Sequence, residues 1–431
     1  MNLERSRSTS PIWRPFTQMK TADLPLKVVR GRGVWLELED GREILDGISS
    51  WWLTIHGHSH PVLAEALYRQ AQQLEHVIFA GFTHDPAEQL AAKVLDHVPS
   101  SLTRVFFSDN GSTAVEVALK MAYRYWQNLG EPDRTRFIGF EGGYHGDTIG
   151  AMSIGRSSLW WQPFEPLLFA TDVVPFPATF EGDRAVELKE AQALEQMESL
   201  LKQNAYAGIF IEPLVQGAAG MRMCRSQFLQ AVQQLAQKFN VLLIYDEVMT
   251  GFGRTGELFA CLKSGTAPDI LCLSKGLSGG CLPIAVTLAT EEIYQAFYSD
   301  DSQRAFFHGH SYTGNPLACA VGVASLELLE QNPGAYQDLE SLHQRSLEDL
   351  REHPRVSQIR TCGTIAAMEI TTEGEAGYFN SIGSVLKSRF LEAGFLLRPL
   401  GNTLYLMPPY CITSEELESI YQAIRRILDT L

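Results

Sequence analysis

Val241-Leu242-Leu243-Ile244-Tyr245-Asp246-Glu247 is the stretch of the sequence that says most about the fold. An unbroken apolar run ends at two carboxylates, which is typical of a strand that is buried on both faces of a sheet. Ile270-Leu271-Cys272-Leu273 is a second run of this kind, and it ends at Ser274-Lys275-Gly276. An amphipathic pattern with Ser226 as its predicted N-cap precedes the first run, with apolar residues at Phe228, Leu229, Val232, Leu235 and Ala236.

The same alternation of strand and helix extends over most of the chain. Short apolar runs at residues 105–107, 137–140 and 209–211 are separated by helical patterns. We therefore predict an α/β protein with a mostly parallel sheet that is covered on both faces.

The C-terminal part has a different pattern, which predicts a second, smaller α+β domain. From Pro316 onwards, helical patterns surround a strand at residues 404–407, and the last helix begins with the capping box Thr413-Ser414-Glu415-Glu416. Residues 34–41 alternate and then turn, as in an antiparallel hairpin, so the N-terminal segment is expected to join this domain.

The composition argues against several classes of protein. The chain has 35 basic and 50 acidic residues and a net charge of −15, so we expect no nucleic-acid partner. No apolar run reaches the roughly 18–20 residues of a membrane helix, and the N-terminus lacks the apolar block of a secretory signal. The seven cysteines are scattered without Cys-x-x-Cys spacing, which predicts neither a disulfide framework nor a zinc site. We expect a cytoplasmic protein without a membrane contact.

Polar residues follow three of the predicted strands at the point where each strand ends. Gly111 and Ser112 open a predicted helix, whose N–H groups can hold an anion. Asp246 and Lys275 each end a buried strand, where a carboxylate needs a cation or donors and burial lowers the pKa of an amine. Taken singly, the three features also fit a helix cap, a turn cap and a lysine that reaches solvent.

The three features together match one cofactor. Ligands of parallel sheets bind at the carboxyl ends of the strands, where these residues are expected to meet. Pyridoxal 5′-phosphate has a phosphate, a pyridine nitrogen that must be protonated and an aldehyde that bonds to an amine. The sequence therefore predicts a pyridoxal-phosphate site.

Two longer motifs resemble a known family. Asp246-Glu247-Val248-Met249-Thr250-Gly251-Phe252-Gly253-Arg254-Thr255-Gly256 is followed by Pro268-Asp269-Ile270 and by Lys275-Gly276. This pattern is similar to the signature of the class III (ω-type) aminotransferases, which are pyridoxal-phosphate enzymes of fold type I. The resemblance runs from about Trp13 to the C-terminus.

The resemblance also implies a division of the chain. A large cofactor-binding domain with a mostly parallel, seven-stranded sheet is expected at residues 56–318. A small α+β domain is expected at residues 319–431, joined by an N-terminal segment at residues 1–55.

The resemblance implies a role for each residue of the site. Lys275 is expected to bond to the cofactor aldehyde and, once a substrate amine displaces it, to carry a proton between substrate and cofactor. Asp246 is expected to pair with the pyridinium nitrogen. The other cofactor-binding residues implied are Gly111 and Ser112 at the phosphate, Tyr144 and Val248 on the two ring faces, and Glu212 nearby. Tyr144 is counted as catalytic together with Lys275 and Asp246, whereas Glu212 has an equally plausible structural role.

In this family each active site is shared between two subunits. The resemblance implies that Ser311 reaches the phosphate bound by the other subunit. It therefore implies a homodimer.

Further motifs resemble the branch of the family that acts in biotin biosynthesis, where an amino group passes from S-adenosylmethionine to 8-amino-7-oxononanoate. Among them are Trp13-Arg14-Pro15-Phe16, Ser50-Trp51-Trp52 and Gly143-Tyr144-His145-Gly146-Asp147. The implied walls of the acceptor pocket are indole rings, and an arginine is implied to bind the acceptor carboxylate. The substrate-binding residues implied are Phe16, Trp51, Trp52, Asp147, Gly309 and Arg398.

Two of these residues bear on the choice of substrates. Many relatives that use glutamate or ornithine have arginine at the position of Asp147, where a carboxylate suits an amine-bearing substrate instead. Phe16 stands where members that use adenosylmethionine commonly have tyrosine, and phenylalanine also occurs in members associated with lysine. Lysine is therefore the alternative amino donor.

Three other functions are weighed against this one. A general ω-aminotransferase for diamines, ornithine or 4-aminobutyrate is disfavoured by Asp147 and by the tryptophan pair. An aminomutase would need no separate donor, so turnover of a single substrate would reveal it. A cofactor-binding protein without activity would be expected to lack Lys275 or Asp246.

Two groups of alternating histidines suggest a metal site, His56-Gly57-His58-Ser59-His60 and His308-Gly309-His310. Neither has the flanking cluster of acidic residues or cysteines that completes such a site. We therefore expect no metal.

Overall fold

The computed structural model describes residues 10–155, 161–372 and 376–431. Its centre is a seven-stranded sheet in which six strands run in one direction, and Ala285–Thr290 runs antiparallel to both of its neighbours. The predicted α/β fold with a mostly parallel sheet is confirmed. Across the sheet, the strands are Leu102–Ser108, Ala285–Thr290, Ile270–Leu273, Leu242–Asp246, Tyr206–Ile211, Arg136–Phe140 and Asp172–Val174.

Both faces of this sheet are covered, because alternate residues of its central strands point to opposite sides and both sets are apolar. Leu242 and Ile244 pack in one hydrophobic cluster with the helix Gly111–Leu129. Leu243 and Tyr245 pack in a larger cluster that includes the buried face of Ser226–Lys238. This double coverage explains why the strands are unbroken apolar runs.

The helices of this part of the chain surround the sheet. The α-helices are Pro61–Ala71, Asp85–His97, Gly111–Leu129, Ile149–Ile154, Val186–Leu201, Ser226–Lys238, Ala260–Ser264, Glu291–Phe297 and Pro316–Gln331. The short 3₁₀ helices are Gln162–Leu167, Lys275–Ser278 and Ser302–Arg304.

One predicted helix cap is wrong. Ser226 is the first residue of the helix Ser226–Lys238, and the N-cap position is occupied by Arg225, whose side chain makes no cap hydrogen bond. The guanidinium of Arg225 instead donates to the carboxylate of Glu190 at 2.9 and 2.6 Å. Ser226 lies inside the helix, where its hydroxyl no longer occupies the capping position.

Residues from both ends of the chain form the smaller sheets. One sheet consists of Val28–Arg32, Trp35–Leu38, Glu43–Asp46 and Phe395–Leu396, and another of Val356–Cys362, Ile365–Ile370 and Thr403–Leu406. A two-stranded ribbon pairs Val215–Gln216 with Arg222–Met223. The predicted hairpin is present, because Trp35–Leu38 and Glu43–Asp46 pair antiparallel around Gly41, which has a φ of +85°. Phe395 pairs in parallel with Leu45, so the N-terminal segment and the C-terminal part share a sheet.

The last helix begins as the sequence predicts. Thr413 accepts from the N–H of Glu416 at 3.1 Å, and the Glu416 carboxylate accepts from the N–H of Thr413 at 2.9 Å. The C-terminal helices are Gly334–Gln337, Leu339–Ser346, Glu348–Arg351, Ile382–Glu392 and Ser414–Asp429. Across the described ranges, every helix is too short or too polar to span a bilayer.

Candidate active site

The polar strand ends meet at one cavity of about 680 Å³. Asp246 comes from the end of Leu242–Asp246, Lys275 follows Ile270–Leu273, and Gly111 and Ser112 begin the helix Gly111–Leu129. Asp246 is in parallel register with Cys272, which brings the two strand ends side by side. The cavity thus joins a carboxylate, an amine and a helix N-terminus that are far apart in the sequence.

Asp246 is a buried carboxylate with a histidine partner. Its Oδ2 atom lies 2.7 Å from Nδ1 of His145, and its Oδ1 atom accepts from the N–H of Val248 at 3.0 Å. Burial opposes the protonation of His145, but the hydrogen bond and the charge of Asp246 outweigh it, so the pKa of His145 is raised. The hydrogen bond thereby holds His145 against the buried carboxylate of Asp246.

Lys275 presents its amine in a strained turn. It is the first residue of Lys275–Ser278 and has a φ of +41°, which non-glycine residues rarely adopt. Burial lowers the pKa of its amine, and the negative charges of Asp246 and Glu212 oppose this only in part. Its Nζ atom lies 5.5 Å from the centre of the Trp52 ring. Burial therefore shifts this amine towards its neutral, nucleophilic form.

The start of the helix Gly111–Leu129 is open to the cavity. Asn110 is the N-cap and accepts from the N–H of Thr113 at 3.1 Å, which leaves the first N–H groups of the helix for another acceptor. A Cβ atom on Gly111 would lie 2.5 Å from Cγ1 of Val248, so this position requires glycine. The Ser112 hydroxyl lies 2.7 Å from the hydroxyl of Thr148.

Tyr144, Asp147 and Glu212 line the same cavity. The Tyr144 hydroxyl donates to Asp147 at 3.1 Å, and the Tyr144 N–H donates to Glu212 at 3.0 Å. Glu212 also accepts from the N–H of Gly217 at 2.9 Å. Burial raises the pKa of Glu212 to about 7 and raises the pKa of Tyr144 above its ordinary value. Glu212 thus fastens the backbone that carries Tyr144.

Three predicted substrate-binding residues form a neighbouring cluster outside the described lining of the cavity. The rings of Phe16 and Trp51 are 5.8 Å apart, and Cζ of Arg398 lies 4.1 Å from the centre of the Trp51 ring. Trp52, in contrast, lines the cavity, and its indole N–H donates to the Tyr405 hydroxyl at 2.9 Å. Trp52 therefore forms part of the cavity wall, whereas Trp51 belongs to the neighbouring cluster with Phe16 and Arg398.

Gly309 and Ser311 are not brought to the cavity within one chain. Both residues are exposed, and neither belongs to the described lining. A contact between Ser311 and the site of another subunit stays a prediction.

Sequence reasoning missed His145 as a member of the site. His145 stands next to Tyr144 in the motif at residues 143–147, which resembles the biotin branch of the family. Its contact with Asp246, however, spans 101 positions of the chain. Thr148 was missed as a partner of Ser112 in the same way. Neither contact could be predicted from the sequence, because in each the two partners lie far apart along the chain.

The groups around the cavity fit pyridoxal phosphate. The helix N-terminus suits a phosphate, Asp246 suits a protonated ring nitrogen, and Lys275 suits an aldehyde. A metal is not supported by the part of the chain that the structure describes, where no group of three or more His, Cys, Asp or Glu side chains could hold one. His56 and His58 are instead hydrogen-bonded to Ser325 and Asp46, respectively.

The chain belongs to the class-III aminotransferases, since the model of that family matches residues 17–428. Among its relatives, an adenosylmethionine-8-amino-7-oxononanoate aminotransferase of Synechococcus elongatus is 54% identical over 420 residues, which cover 97% of this chain and 99% of that protein. The family predicted from the motifs is confirmed, and with it the assignment to the aminotransferases.

Solved structures agree with this assignment. The crystal structure of adenosylmethionine-8-amino-7-oxononanoate aminotransferase from Methanocaldococcus jannaschii has a TM-score of 0.89 and 36% identity, and the match covers 96% of this chain and 97% of that one. An amine transaminase from an uncultivated Pseudomonas species, in a PLP-bound form, has a TM-score of 0.91 and 28% identity, over 98% of this chain and 99% of that one.

Proposed function

We propose that this chain transfers an amino group from S-adenosylmethionine to 8-amino-7-oxononanoate, giving 7,8-diaminononanoate for biotin biosynthesis, with pyridoxal 5′-phosphate as cofactor. The observation that carries the proposal is the single cavity shared by Lys275, Asp246 and the helix start at Gly111. Two relatives that are named after this reaction, at 54% and 36% sequence identity, support the choice of substrates.

Each cofactor-binding residue has a task in this proposal. Pyridoxal phosphate, when bound, supplies an aldehyde that bonds covalently to amines and a ring that takes up electrons as a proton leaves the substrate carbon. Lys275 would hold the aldehyde end of the cofactor, and its amine would accept and return the proton of the substrate carbon. Asp246 would pair with the protonated ring nitrogen, and His145 would hold this carboxylate in place through its 2.7 Å hydrogen bond. The N–H groups of Gly111 and Ser112 hold the phosphate, while Tyr144 and Val248 exclude water from the ring.

The substrate-binding residues divide into two groups. Trp52 and Asp147 line the cavity, where an indole wall suits an apolar chain and a carboxylate suits an amine. Trp51 contacts both Phe16 and Arg398 beside it, which supports the assignment of the acceptor carboxylate to Arg398.

We further propose a homodimer with shared active sites, in which Gly309 and Ser311 serve the site of the partner subunit. The exposure of both residues in one chain supports this, because a second copy could approach them. We expect the dimer to be cytoplasmic.

We keep the division into an N-terminal segment, a large domain and a small domain, with one change of boundary. A border between residues 318 and 319 would cut the continuous helix Pro316–Gln331, so we place it after Gln331. The strand pair of Leu45 with Phe395 supports the union of the N-terminal segment with the small domain.

Lysine is a second candidate donor, and Phe16 is the observation that favours it. The ring of Phe16 lies 5.8 Å from that of Trp51 and offers no hydroxyl to a substrate. Both donors are compared in the experiment below.

The test is half-reaction spectroscopy with the cofactor-loaded protein. Adenosylmethionine, lysine, ornithine and 4-aminobutyrate are added separately, and the absorption band of bound pyridoxal phosphate is followed. We expect adenosylmethionine to convert the band to that of the amine form of the cofactor, and 8-amino-7-oxononanoate to restore it. Conversion by ornithine or 4-aminobutyrate alone would show that the biotin assignment is wrong.

Lys275→Ala should lower turnover by about 1,000-fold or more, because the variant lacks both the nucleophile and the proton carrier. Weak cofactor binding should remain, measured by equilibrium dialysis, since the phosphate and ring contacts are intact. Lys387→Ala, at an exposed position, is the matched control. Turnover of Lys275→Ala near that of the control would remove the role assigned to this lysine.

A further inference from the structure

The alternating histidines of residues 56–60 contact two different parts of the site. His58 faces the turn that carries Trp51 and Trp52, and His56 faces the turn that carries Lys275. Neither histidine belongs to the described lining of the cavity. Their influence on the site therefore passes through the residues that they contact.

His58 fastens the tryptophan turn through Asp46. Its Nε2 atom donates to Oδ2 of Asp46 at 2.9 Å, since a carboxylate only accepts. Asp46 is fully buried and also accepts from the backbone N–H groups of Ile48 at 3.1 Å and Ser50 at 2.6 Å. His58 is itself fixed by two backbone hydrogen bonds with Gly33, at 2.7 and 3.1 Å.

The turn that Asp46 holds has an unfavourable backbone conformation. Ser49, Ser50 and Trp52 have φ angles of +51°, +60° and +70°. Non-glycine residues keep such angles only where surrounding interactions hold them. The hydrogen bonds of Asp46 are interactions of this kind, and they hold the turn that carries both indole rings.

His56 fastens the lysine turn through Ser325. The Ser325 hydroxyl on the helix Pro316–Gln331 donates to the carbonyl of Gly276 at 3.2 Å, so its oxygen accepts from Nε2 of His56 at 2.9 Å. Burial lowers the pKa of His56 to about 4, so the ring is neutral at pH 7 and Nε2 carries its one proton. A Cβ atom on Gly279 would lie 2.8 Å from Cδ2 of His56, so the ring also packs on the far end of the turn.

We propose that residues 56–60 are a positioning element for both active-site turns, with His58 acting through Asp46 on the tryptophans and His56 acting through Ser325 on Lys275. The two turns meet where Nζ of Lys275 lies 5.5 Å from the Trp52 ring. One short segment thereby sets the distance between the reacting amine and the wall of the substrate pocket. This inference rests on the proposed aminotransferase function and adds the residues that set its geometry.

The test compares two variants of each histidine in the holoenzyme. Leucine removes the N–H donor, whereas glutamine retains a donor close to the position of Nε2. His58→Leu should raise the KM for 8-amino-7-oxononanoate by about 10-fold, since a hydrogen bond to a charged group is lost, and should leave the cofactor band unchanged. His58→Gln should return the KM to within about twofold of the wild type.

The variants of His56 should give a different pattern. His56→Leu should lower kcat and shift the pH midpoint of the absorption band of bound cofactor by about half a unit or more, with KM unchanged. His56→Gln should restore both. Equal changes of kcat, KM and band midpoint in the two leucine variants would show a merely structural role and overturn the proposal, as would glutamine variants no better than leucine.

Two further variants test the same contacts in case the leucine variants do not fold. Ser325→Ala should reproduce the shift of the band midpoint, and Asp46→Asn should reproduce the rise in KM; absence of both effects would also overturn the proposal. If the wild type does not turn over 8-amino-7-oxononanoate, the proposed function fails by itself. KM is then measured with whichever amine converts the wild-type band, and the band titration is unaffected.

Discussion

Asp246, His145 and Glu212 bring three titratable groups together in a part of the protein that is almost closed to water. Their charges are coupled, because Asp246 raises the pKa of both of its neighbours. Burial acts in opposite directions on the acid and the base, favouring the neutral form of each. For His145 the hydrogen bond and the charge of Asp246 outweigh burial, so the pKa of the imidazole is raised.

His145→Ala should slow the conversion of the cofactor band by an amino donor by roughly 10-fold or more, because a hydrogen bond to a charged group is lost. His145→Asn keeps an N–H donor near the position of Nδ1 and is the matched control, with an expected rate close to the wild type. The rate is measured in single-turnover stopped-flow absorbance. Equal rates in the alanine and asparagine variants would contradict the role assigned to this contact.

Glu212 should make stability depend on pH in a defined window. Its pKa is raised from 4.5 to about 7, so the folded state binds this proton more tightly than the unfolded chain. The stability that it contributes is present below pH 4.5 and is lost as the pH rises through 7. Relative to Glu212→Gln, the wild type should lose up to about 3 kcal/mol of unfolding free energy across this window.

Urea unfolding of cofactor-free protein between pH 4.5 and pH 8 measures this difference. Glu75→Gln removes an exposed carboxyl and serves as the control, with no comparable change expected. A pH-independent difference between wild type and Glu212→Gln would show that the pKa of Glu212 is the same in the folded and unfolded states.

Helix ends show how local chemistry determines where an element begins. Asn110 with Thr113 and Thr413 with Glu416 each form a reciprocal capping box, in which side chains satisfy N–H groups that the helix cannot. The box at Thr413 was visible in the sequence because its two members stand three positions apart. The cap predicted at Ser226 is wrong because the helix begins at Ser226 itself. A capping serine would have to stand one residue before the first residue of the helix.

Thr413→Ala should lower the unfolding free energy by about 1 kcal/mol, the usual cost of a lost N-cap. Thr413→Ser keeps the accepting hydroxyl and should stay within a few tenths of a kcal/mol of the wild type. Denaturant unfolding of both variants at one pH measures the difference. An alanine variant as stable as the serine variant would mean that the last helix is held by its buried stripe alone.

At the scale of the whole molecule, the loop that carries Gly309 and Ser311 also exposes two large apolar side chains to solvent. Phe307 is 72% exposed and Tyr312 is 67% exposed. Contiguous exposed apolar patches mark interaction sites on soluble proteins. It supports the proposed homodimer, in which the loop would be covered by a second copy.

Ser311→Ala provides the corresponding test. Because Ser311 lies outside the described lining of its own cavity, its loss should weaken cofactor binding only if a partner subunit places it at the phosphate. We expect a rise in the dissociation constant of pyridoxal phosphate of about 10-fold, and a sedimenting mass near twice that of the chain. Ser302→Ala, nearby and exposed, should bind normally. A sedimenting mass equal to one chain would contradict the shared site.

Strands, helices and the polar residues at strand ends could be predicted from the sequence, because each depends on neighbours within a few positions. The buried runs before Asp246 and Lys275 and the hairpin around Gly41 are of this kind, and the family signature rests on the same local stretches. The cofactor class follows from the types of group that must meet, once a parallel sheet brings its strand ends together.

Contacts between distant segments depended on tertiary structure instead. The separation of Trp51 from Trp52 follows from a backbone held by Asp46, and the partner of His145 lies on another strand. The alternating histidines have a spacing that can bind a metal, although the sequence as a whole predicted none. In the folded chain His56 and His58 instead donate to Ser325 and Asp46, which the packing of other elements brings close to them, and such proximity is a property of the assembled strands and helices.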